Sequence, residues 1–428
     1  MNSSFVRRAA ALAAGGALLV SGLAATGPAQ AAPGDDPAAE AASWLTTQLT
    51  DGLIQGPWGP DYGLSIDFAL SLAEVGGHSS EVEAVADAVA ASVDQYIAYD
   101  FPPYEEGDPH YSGQVAGATA KALRLAQAVG EGPEFGGVDL VERLETLVLT
   151  DGPVGGRIAD EAFRNGEPDP DGDYANVIGQ AYAASTLTAE GTATRGQDVV
   201  DFLLQQQCSD GFFRLYFNQD KEAADQSCDG GTPAESAPDT DVTALVAVLL
   251  ADQAADEAIG AALDDARSWL LDSQLADGSF GGGPTTAAPN SNSTGLAGWA
   301  LGTLGEDAAA AHAAAWVRAH QVQPIGSCAT ALDSEAGAIA YDQAALAAGH
   351  QSGITAGVQD QWRRAGAQAA PALAWAPAFT TGDLALTDPR TFHRAGSTAT
   401  FTVSGLSTGE AVCLSGAGLT GVGASVGG

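Results

Sequence analysis

Asp239, Thr240 and Asp241 stand directly before residues 242–250, an apolar stretch with the composition of a buried helix. A carboxyl group can donate a proton in catalysis, and the charges around it tune its pKa. Asp and Thr also cap the free N–H groups at the start of a helix. Capping is the favoured interpretation, because the other apolar helices of this chain start with similar residues.

Metal chemistry has little support in the sequence. Asp169, Asp171 and Asp173 place acids at alternate positions, as calcium loops do. The segment lacks the Gly at the sixth position and the Glu at the twelfth position of such loops. The histidines are scattered, and the cysteines lack the paired spacing of zinc sites. The sequence therefore predicts neither a metal ion nor a cofactor.

Four cysteines, Cys208, Cys228, Cys328 and Cys413, allow three complete sets of disulfides. Cys208 and Cys228 bracket a polar loop and are the favoured pair. Cys328 is then either free or paired with Cys413. A disulfide is expected in an exported protein, because the cell exterior permits this bond.

The first 31 residues have the pattern of a cleaved signal peptide. Arg7 and Arg8 precede an apolar run over residues 9–25, and residues 29–31 form a small-x-small cleavage site. The predicted location is extracellular, either secreted or associated with the cell surface. Removing this segment takes away two arginines and no acid, so the net charge falls from −38 to −40. This charge argues against nucleic acid or an anionic membrane as partner, and no later apolar run could span a membrane.

One unit recurs along the chain, a helical stretch followed by a turn around Asp-Gly. Four copies end at the Asp-Gly pairs 51–52, 151–152, 210–211 and 277–278. Two degenerate copies cover residues 96–107 and 316–326. The copies precede six more apolar helices, predicted over residues 64–75, 115–129, 176–187, 241–250, 293–304 and 335–348. Helices with one polar face alternate with helices that are apolar nearly all round. This alternation predicts an outer ring of half-exposed helices and an inner ring of buried helices.

The predicted fold class is therefore all-α, an (α/α)6 toroid of six inner and six outer helices over residues 32–370. An Ala- and Pro-rich linker over residues 371–383 follows. From residue 384 onward the helical period is lost, residues 398–404 alternate like a strand, and residues 411–414 suggest another. Residues 384–428 are therefore predicted to be a partial immunoglobulin-like β module. Since such modules have about a hundred residues, a truncated C-terminus is expected.

The repeats resemble those of a known superfamily. Residues 207–213, Gln-Cys-Ser-Asp-Gly-Phe-Phe, and residues 274–280, Gln-Leu-Ala-Asp-Gly-Ser-Phe, are similar to the Gln-x-x-x-Gly-x-Trp repeats of terpene and squalene cyclases. Protein prenyltransferase β subunits have related repeats. The resemblance covers roughly residues 38–365 and implies an α/α toroid. It implies no single function, because cobalamin carriers and complement thioester domains share that fold.

Class II terpene cyclases resemble the chain most closely at residues 239–244. Their pattern is Asp-x-Asp-Asp-Thr-Ala, and the resemblance places Asp241 at the proton donor and Asp239 at the first acid. Val242 replaces the last Asp of the pattern, which removes part of what tunes the donor. The zinc ligands of prenyltransferases and the thioester motif of complement proteins are missing. A diverged cyclase-like or prenyltransferase-like enzyme with Asp241 as general acid is thus one alternative.

The starts of the inner helices would meet at one end of the toroid, where a funnel can bind a ligand. The binding candidates there are Tyr62, Tyr111, Tyr174, Asn176, Asp241, Asn292 and Glu335. The first expectation is a secreted, non-catalytic binding or surface-interaction protein, whose partner is an unidentified small ligand or surface. A second alternative is an extracellular carbohydrate-active (α/α)6 enzyme.

Overall fold

The computed structural model describes residues 36–191, 193–323 and 330–379, and the backbone of four short strands beyond residue 384. The described chain is mostly helical, with several small antiparallel sheets. The expected signal segment lies outside the described residues. Within the described ranges, no helix combines the length and the apolar character needed to cross a membrane.

Fourteen α-helices occur in the described residues. They are α1 Pro37–Thr47, α2 Tyr62–Val75, α3 Ser79–Ala90, α4 Val93–Ile97, α5 Ala116–Ala128, α6 Leu140–Thr146, α7 Val177–Ala189, α8 Gly196–Leu204, α9 Thr240–Leu250, α10 Glu257–Ser273, α11 Ser291–Thr303, α12 Asp307–Ala319, α13 Gln343–Ser352 and α14 Gln359–Ala369. Short 3₁₀ segments are Gly152–Val154, Pro170–Gly172, Ala251–Gln253 and Ala370–Trp375.

The strands form five small antiparallel sheets in the described residues. They are β1 Ile54–Gly56, β2 Gly59–Asp61, β3 Ala98–Phe101, β4 Tyr111–Gln114, β5 Glu134–Phe135, β6 Val138–Asp139, β7 Glu161–Arg164, β8 Glu167–Pro168, β9 Ala385–Thr387, β10 Thr402–Ser404, β11 Ala411–Gly416 and β12 Leu419–Ala424. The largest sheet has the order β3-β4-β7-β8, in the connections that lead into α5 and α7. The pairs β9–β10 and β11–β12 fall where the sequence predicts a β module, whose limits stay a prediction.

Helices α2, α5, α7, α9, α11 and α14 form an inner layer. Each contacts the next in chain order, and α14 contacts α2. From α2 to α11, contacts between neighbours join residues that are about equally far from their helix starts, whereas α14 begins earlier, since Asn292 in the first turn of α11 contacts Gln368 near the end of α14. The Lys121 ammonium of α5 pairs with Asp67 of α2 at 2.6 Å, and the Ser185 hydroxyl of α7 donates to the Leu249 carbonyl of α9 at 2.9 Å. These helices therefore run in the same direction and begin at the same end.

The last inner element differs from the one predicted. Residues 335–342 are not helical, and α13 begins at Gln343, where the Asp342 carboxylate accepts a hydrogen bond from the Ala345 N–H at 2.8 Å. The prediction of an inner helix over residues 335–348 is wrong, because Gly337 takes a positive φ of 91° that interrupts the Ala-rich stretch. Helix α14, continued by the buried 3₁₀ segment Ala370–Trp375, packs against α11 instead. The predicted linker over residues 371–383 starts inside this segment.

The outer helices cover the inner layer from the side away from its centre. Helix α3 packs on α2, α6 on α5, α8 on α7, α10 on α9, α12 on α11, and α1 on the α14 segment. The core lies between the two layers and is rich in Ala, Leu, Val and Phe. Inner helices approach closely where both residues are small, as at Gly117 and Gly179, since a Cβ on Gly179 would lie 3.0 Å from the Gly117 Cα. The described chain thus has the layered arrangement of an α/α toroid.

Turn glycines join one outer helix to the next. Gly211 has a φ of +100°, and a Cβ there would lie 2.6 Å from the Asp265 carbonyl oxygen of α10. The same contact of a positive-φ glycine with an outer-helix carbonyl recurs at Gly52 with Ala84, Gly156 with Asp198, Gly278 with His312 and Gly337 with Glu40. The predicted Asp-Gly turn with a positive-φ glycine is therefore confirmed at 51–52, 151–152, 210–211 and 277–278, but at the second of these turns Gly156, and not Gly152, contacts the outer helix. At the last copy, Gly337 makes the contact, and Gly326 lies outside the described residues.

The glutamine of the repeat also links its turn to the next outer helix. The Gln207 amide N–H donates to the Gly211 carbonyl and to the Ala262 carbonyl of α10, both at 2.8 Å. The Gln274 amide makes the matching bonds to Gly278 and Ala309 at 3.1 and 3.0 Å. The Gln-x-x-Asp-Gly motif is therefore structural, because each glutamine ties its own turn to the next outer helix through two hydrogen bonds.

Candidate functional site

Asp239 caps the start of helix α9. Its carboxylate accepts hydrogen bonds from the N–H groups of Asp241 and Val242 at 3.0 and 3.1 Å. The side chain is buried, and this burial raises the pKa of Asp239, while the two backbone hydrogen bonds oppose the shift. Capping, the interpretation favoured from the sequence, describes Asp239 well.

Asp241 occupies the first turn of α9 without a capping role. Its Oδ1 atom is shielded from solvent and has no hydrogen-bond partner. Burial raises the pKa of Asp241 to about 6, the nearby Ser293 hydroxyl acts in the opposite direction, and the charge of Asp239 adds to the rise. A buried acceptor without a partner is costly in a folded protein, so it calls for an explanation by function or by a bound group.

A run of three glycines, residues 281–283, covers both carboxyl groups. A Cβ on Gly282 would lie 2.8 Å from the Ser293 Oγ and 3.0 Å from the Asp241 Oδ2. A Cβ on Gly283 would lie 2.2 Å from the Asp239 Oδ2. The backbone of this run can approach the acids only because these residues lack side chains. The sequence offers a signal for this contact, since the glycines directly follow the last intact repeat.

The first turn of α11 forms the opposite wall. The Ser293 hydroxyl is fully buried, faces Asp241 and has no hydrogen-bond partner of normal geometry. The Asn292 amide N–H donates to the Gln368 Oε1 of α14 at 2.6 Å, whereas the Asn292 Oδ1 is buried and unpaired. The Tyr341 carbonyl accepts a hydrogen bond from the Ser291 N–H at 2.8 Å, which brings this residue to the start of α11. Burial, followed by the charge of Asp241, raises the pKa of Tyr341. We call Asp239, Asp241, Asn292, Ser293 and Tyr341 the Asp241 site.

Of the residues singled out from the sequence, Asp239 and Asp241 come together in this site, and Asn292 directly precedes Ser293 with its amide bonded to Gln368 of α14. Sequence reasoning missed Ser293 and Tyr341. Ser293 sits in the polar run Asn290-Ser291-Asn292-Ser293, which is a usable signal. Tyr341 follows an irregular segment that carries no such signal, so only the tertiary structure reveals it.

The remaining binding candidates make other contacts. Asn176 caps α7 by accepting from the N–H groups of Ile178 and Gly179 at 3.0 and 3.2 Å. The Tyr62 hydroxyl donates to the Gln95 side chain at 3.2 Å. Tyr111 lies in β4, and Tyr174 precedes α7 with 79% of its surface exposed.

Glu335 is not at the start of a helix. Its carboxylate accepts a hydrogen bond from the Trp44 indole N–H at 2.8 Å and thereby joins the 330–342 segment to α1. This contact satisfies a polar group of a buried tryptophan, which is a structural task.

The acidic segment 169–173 is held by protein groups. The buried Asp173 carboxylate pairs with the Arg157 guanidinium and the Lys221 ammonium, both at 2.8 Å. Asp169 caps the short 3₁₀ turn by accepting from the Asp171 N–H at 3.3 Å. Among the described residues, His, Cys, Asp and Glu side chains nowhere gather in threes in a way that could hold a metal ion.

Cys208 and Cys228 form a disulfide with a Cα–Cα distance of 4.8 Å. They pack with Phe212 and Trp269 in a small apolar cluster beside the main core. The favoured pairing is therefore confirmed. Cys328 and the side chain of Cys413 lie outside the described residues.

Comparison with known proteins shows a similarity in fold and assigns no family. No protein-family model and no curated protein matches it. Among solved structures, the type II terpene cyclase MstE from Scytonema, without ligand, has a TM-score of 0.47 at 15% identity, over 79% of this chain and 96% of the cyclase. An unsaturated glucuronyl hydrolase from Bacillus sp. GL1 has a TM-score of 0.48 at 12% identity, over 78% and 95% of the two chains.

These similar structures share the α/α-toroid fold with this chain, and no single family within that fold is assigned. Both kinds of protein are enzymes. The first expectation from the sequence, a non-catalytic binding or surface-interaction module, finds no support among these structures, which are enzymes like its alternative. At such low identity the likeness concerns the fold, so reaction and substrate have to be argued from the Asp241 site.

Proposed function

We propose that the protein is an extracellular enzyme, built on an (α/α)6 toroid of six inner and six outer helices, that uses Asp241 as a general acid. The closed circuit of inner helices and the outer helix packed on each support the six-fold count. The disulfide supports an oxidising location. The predicted signal peptide points the same way.

The observation that carries this proposal is the isolation of the Asp241 carboxyl. An ordinary aspartic acid is below about 1% protonated at pH 6, whereas a pKa of about 6 keeps about half of the Asp241 population protonated there. A general acid is most effective when its pKa lies near the working pH. The unpaired Oδ1 is an atom from which a proton could pass to a substrate.

The neighbouring groups fit supporting roles. Asp239 holds the first turn of α9 in place and, by its charge, disfavours ionisation of Asp241. When Asp241 gives up its proton, the new carboxylate lies at the N-terminal end of α9 and faces the Ser293 hydroxyl. Both features stabilise the negative charge, which lowers the barrier to proton release. The step is a transfer of one proton from Asp241 to an acceptor atom of the substrate.

The test compares Asp241→Asn with a matched capping variant, Asp256→Asn. Asp256 caps α10 through the N–H groups of Ala258 and Ile259, so its substitution controls for changes at a helix start. Each protein is incubated in D₂O with a polyprenyl substrate or with soluble polysaccharides, and products are examined by mass spectrometry. We expect Asp241→Asn to lose about 10²- to 10⁴-fold in rate with its helical circular dichroism retained. Full activity in Asp241→Asn would remove the proposal.

A further inference from the structure

Six aromatic side chains stand out into solvent in the connections between outer and inner helices. They are Trp58, Phe101, Tyr104, Tyr111, Tyr174 and Tyr216, and we call them the aromatic rim. Trp58 at 98%, Tyr104 at 93% and Tyr174 at 79% are almost fully exposed. In the described ranges, every aromatic residue with a large exposed surface belongs to this set. A single exposed ring is common on protein surfaces, but six rings gathered in these connections call for a functional reason.

The aromatic rim shares one end of the toroid with Asp241. Trp58 is in the turn between β1 and β2, directly before α2, and Tyr104 is in the turn between β3 and β4, before α5. Tyr174 precedes α7, and Tyr216 lies in the connection to α9. Because the inner helices run in the same direction, their starts lie at one end, where Asp241 also sits in the first turn of α9.

The charge around the rim is strongly negative. Strand β3 and its connection to β4 carry Asp100, Glu105, Glu106 and Asp108 and no lysine or arginine. Residues 160–175 contain six acids and one arginine. Phe101 and Tyr111 lie opposite each other in β3 and β4, whereas the other four rings lie on separate connections, and carboxylates are interleaved with all of them. An anionic lipid surface would be repelled by these carboxylates, and a protein or lipid partner would favour a surface with fewer charges among its rings.

We infer that the substrate is a saccharide chain without acidic groups, which crosses the aromatic rim on its way to Asp241. The inference rests on the proposed function for its reacting end, but its binding surface is independent of catalysis. A sugar ring presents C–H groups on its faces, which pack on aromatic rings, and hydroxyls at its edge, which donate to carboxylates. Glycans with uronate or sulfate groups are excluded by repulsion from a chain with a net charge of −38.

The interior of the site agrees with a substrate that carries hydrogen-bonding groups. The Asn292 Oδ1 is a buried acceptor without a partner, and the buried Asp241 Oδ1 has no partner either. A saccharide hydroxyl could donate to Asn292, and a saccharide oxygen could accept the proton of Asp241. A polyprenyl hydrocarbon offers neither group and would leave both atoms unpaired, at a substantial cost. The site therefore favours the saccharide over the polyprenyl chain among the substrates that the fold permits.

Affinity electrophoresis of the full protein in gels with one soluble polysaccharide each would test the inference. The probes are hydroxyethylcellulose, xylan, glycol chitosan and polygalacturonate, with phosphatidylcholine vesicles that contain a polyprenol as the rival ligand. The test variant is Trp58→Ala with Tyr104→Ala, whose side chains are too exposed to support the fold. Leu271→Ala, at an exposed apolar residue of α10, is the matched control.

We expect retardation by at least one neutral or amino-bearing polysaccharide and none by polygalacturonate. Loss of the two rings should weaken binding about tenfold or more, and Leu271→Ala should bind like the unchanged protein. Asp241→Asn should still bind, so a failure of the acid mechanism would remain separate from a failure of this inference. It is overturned by binding to none of the saccharides, by equal binding of the double variant, by equal binding of polygalacturonate, or by binding of the vesicles alone.

Discussion

The Asp239 carboxylate accepts two backbone hydrogen bonds at the start of α9, whereas Asp241, two residues later, keeps a buried oxygen without a partner. One acid is thus committed to the helix, and the other is free for chemistry. The difference follows from position, because a side chain at the cap can reach the free N–H groups and one in the first turn cannot. Two aspartates only two positions apart therefore differ in effect: Asp239 stabilises the helix start, and Asp241 keeps a buried oxygen without a partner.

Asp241→Asn is expected to stabilise the fold at alkaline pH. A raised pKa, about 6 against the ordinary 3.8, means that the folded protein disfavours the ionised form. This penalty is fully present above pH 6, shrinks as the pH falls, and disappears only below the ordinary pKa of 3.8. The full shift corresponds to roughly 3 kcal/mol, which partial exposure reduces to roughly 1–2 kcal/mol. Urea unfolding at pH 8 should show this gain.

At pH 4 the stability gain of the same variant should be much smaller than at pH 8, because Asp241 is then neutral in the folded state and roughly 40% neutral in the unfolded state. Asp256→Asn, which keeps its cap, should show no such pH dependence. A gain that is equal at pH 4 and pH 8, or a loss at pH 8, would show that burial does not disfavour the Asp241 carboxylate.

Ser293→Ala is expected to raise the pKa of Asp241 further, because the Ser293 hydroxyl lowers it in the native site. If Asp241 is the acid, the alkaline limb of the pH–rate profile should move to higher pH. Ser291→Ala is the control. The Ser291 hydroxyl donates to the Ala340 carbonyl at 2.6 Å, so its loss should cost about 1 kcal/mol of stability without moving the limb. A limb that stays in place in Ser293→Ala would exclude Asp241 as the group that titrates.

Gly211→Ala and Gly152→Ala should differ in their cost, although both glycines have a positive φ. At Gly152 nothing lies within 4 Å of an added Cβ, so only backbone strain of about 1 kcal/mol is expected. At Gly211 the methyl group would collide with the Asp265 carbonyl, which adds roughly 1–3 kcal/mol of overpacking. Free energies of unfolding from urea titration measure both, and equal values would mean that the joint between α8 and α10 is not tight.

The repeats predict most of the fold because their function is local. Gln207 and Gly211 lie four residues apart, and both serve the contact with the next outer helix, so the sequence pattern carries the packing. The pattern predicts the wrong contact residue where the turn extends beyond the residues of the motif. Gly156, beyond the 3₁₀ turn that includes Gly152, makes the contact at the second intact copy, and Gly337 makes it at the last. The first residue of a helix inside an Ala-rich stretch is also difficult to predict from the sequence. The structure shows that α13 starts after Asp342, which caps it.

The candidate site is less accessible to such reasoning. Asp239 and Asp241 are adjacent in sequence and resemble a known motif, so they can be found. Ser293 and Tyr341 reach the same place from about 50 and 100 residues further along the chain. Their approach depends on the packing of α11 against α9 and on the path of an irregular segment. The pKa of Asp241 arises from that packing, so no pattern in residues 239–244 could predict it.

Replacing both Cys208 and Cys228 by Ser should lower stability without abolishing folding. The disulfide closes a loop with a sequence separation of 20, and loss of such a cross-link costs about 3 kcal/mol through the entropy of the unfolded chain. The main core is separate from the small cluster of Cys208, Cys228 and Phe212, so the helices should remain. Urea unfolding with and without dithiothreitol measures the effect. The reductant should destabilise the unchanged protein by a similar amount, and a double variant as stable as the oxidised protein would contradict a stabilising role for this bond.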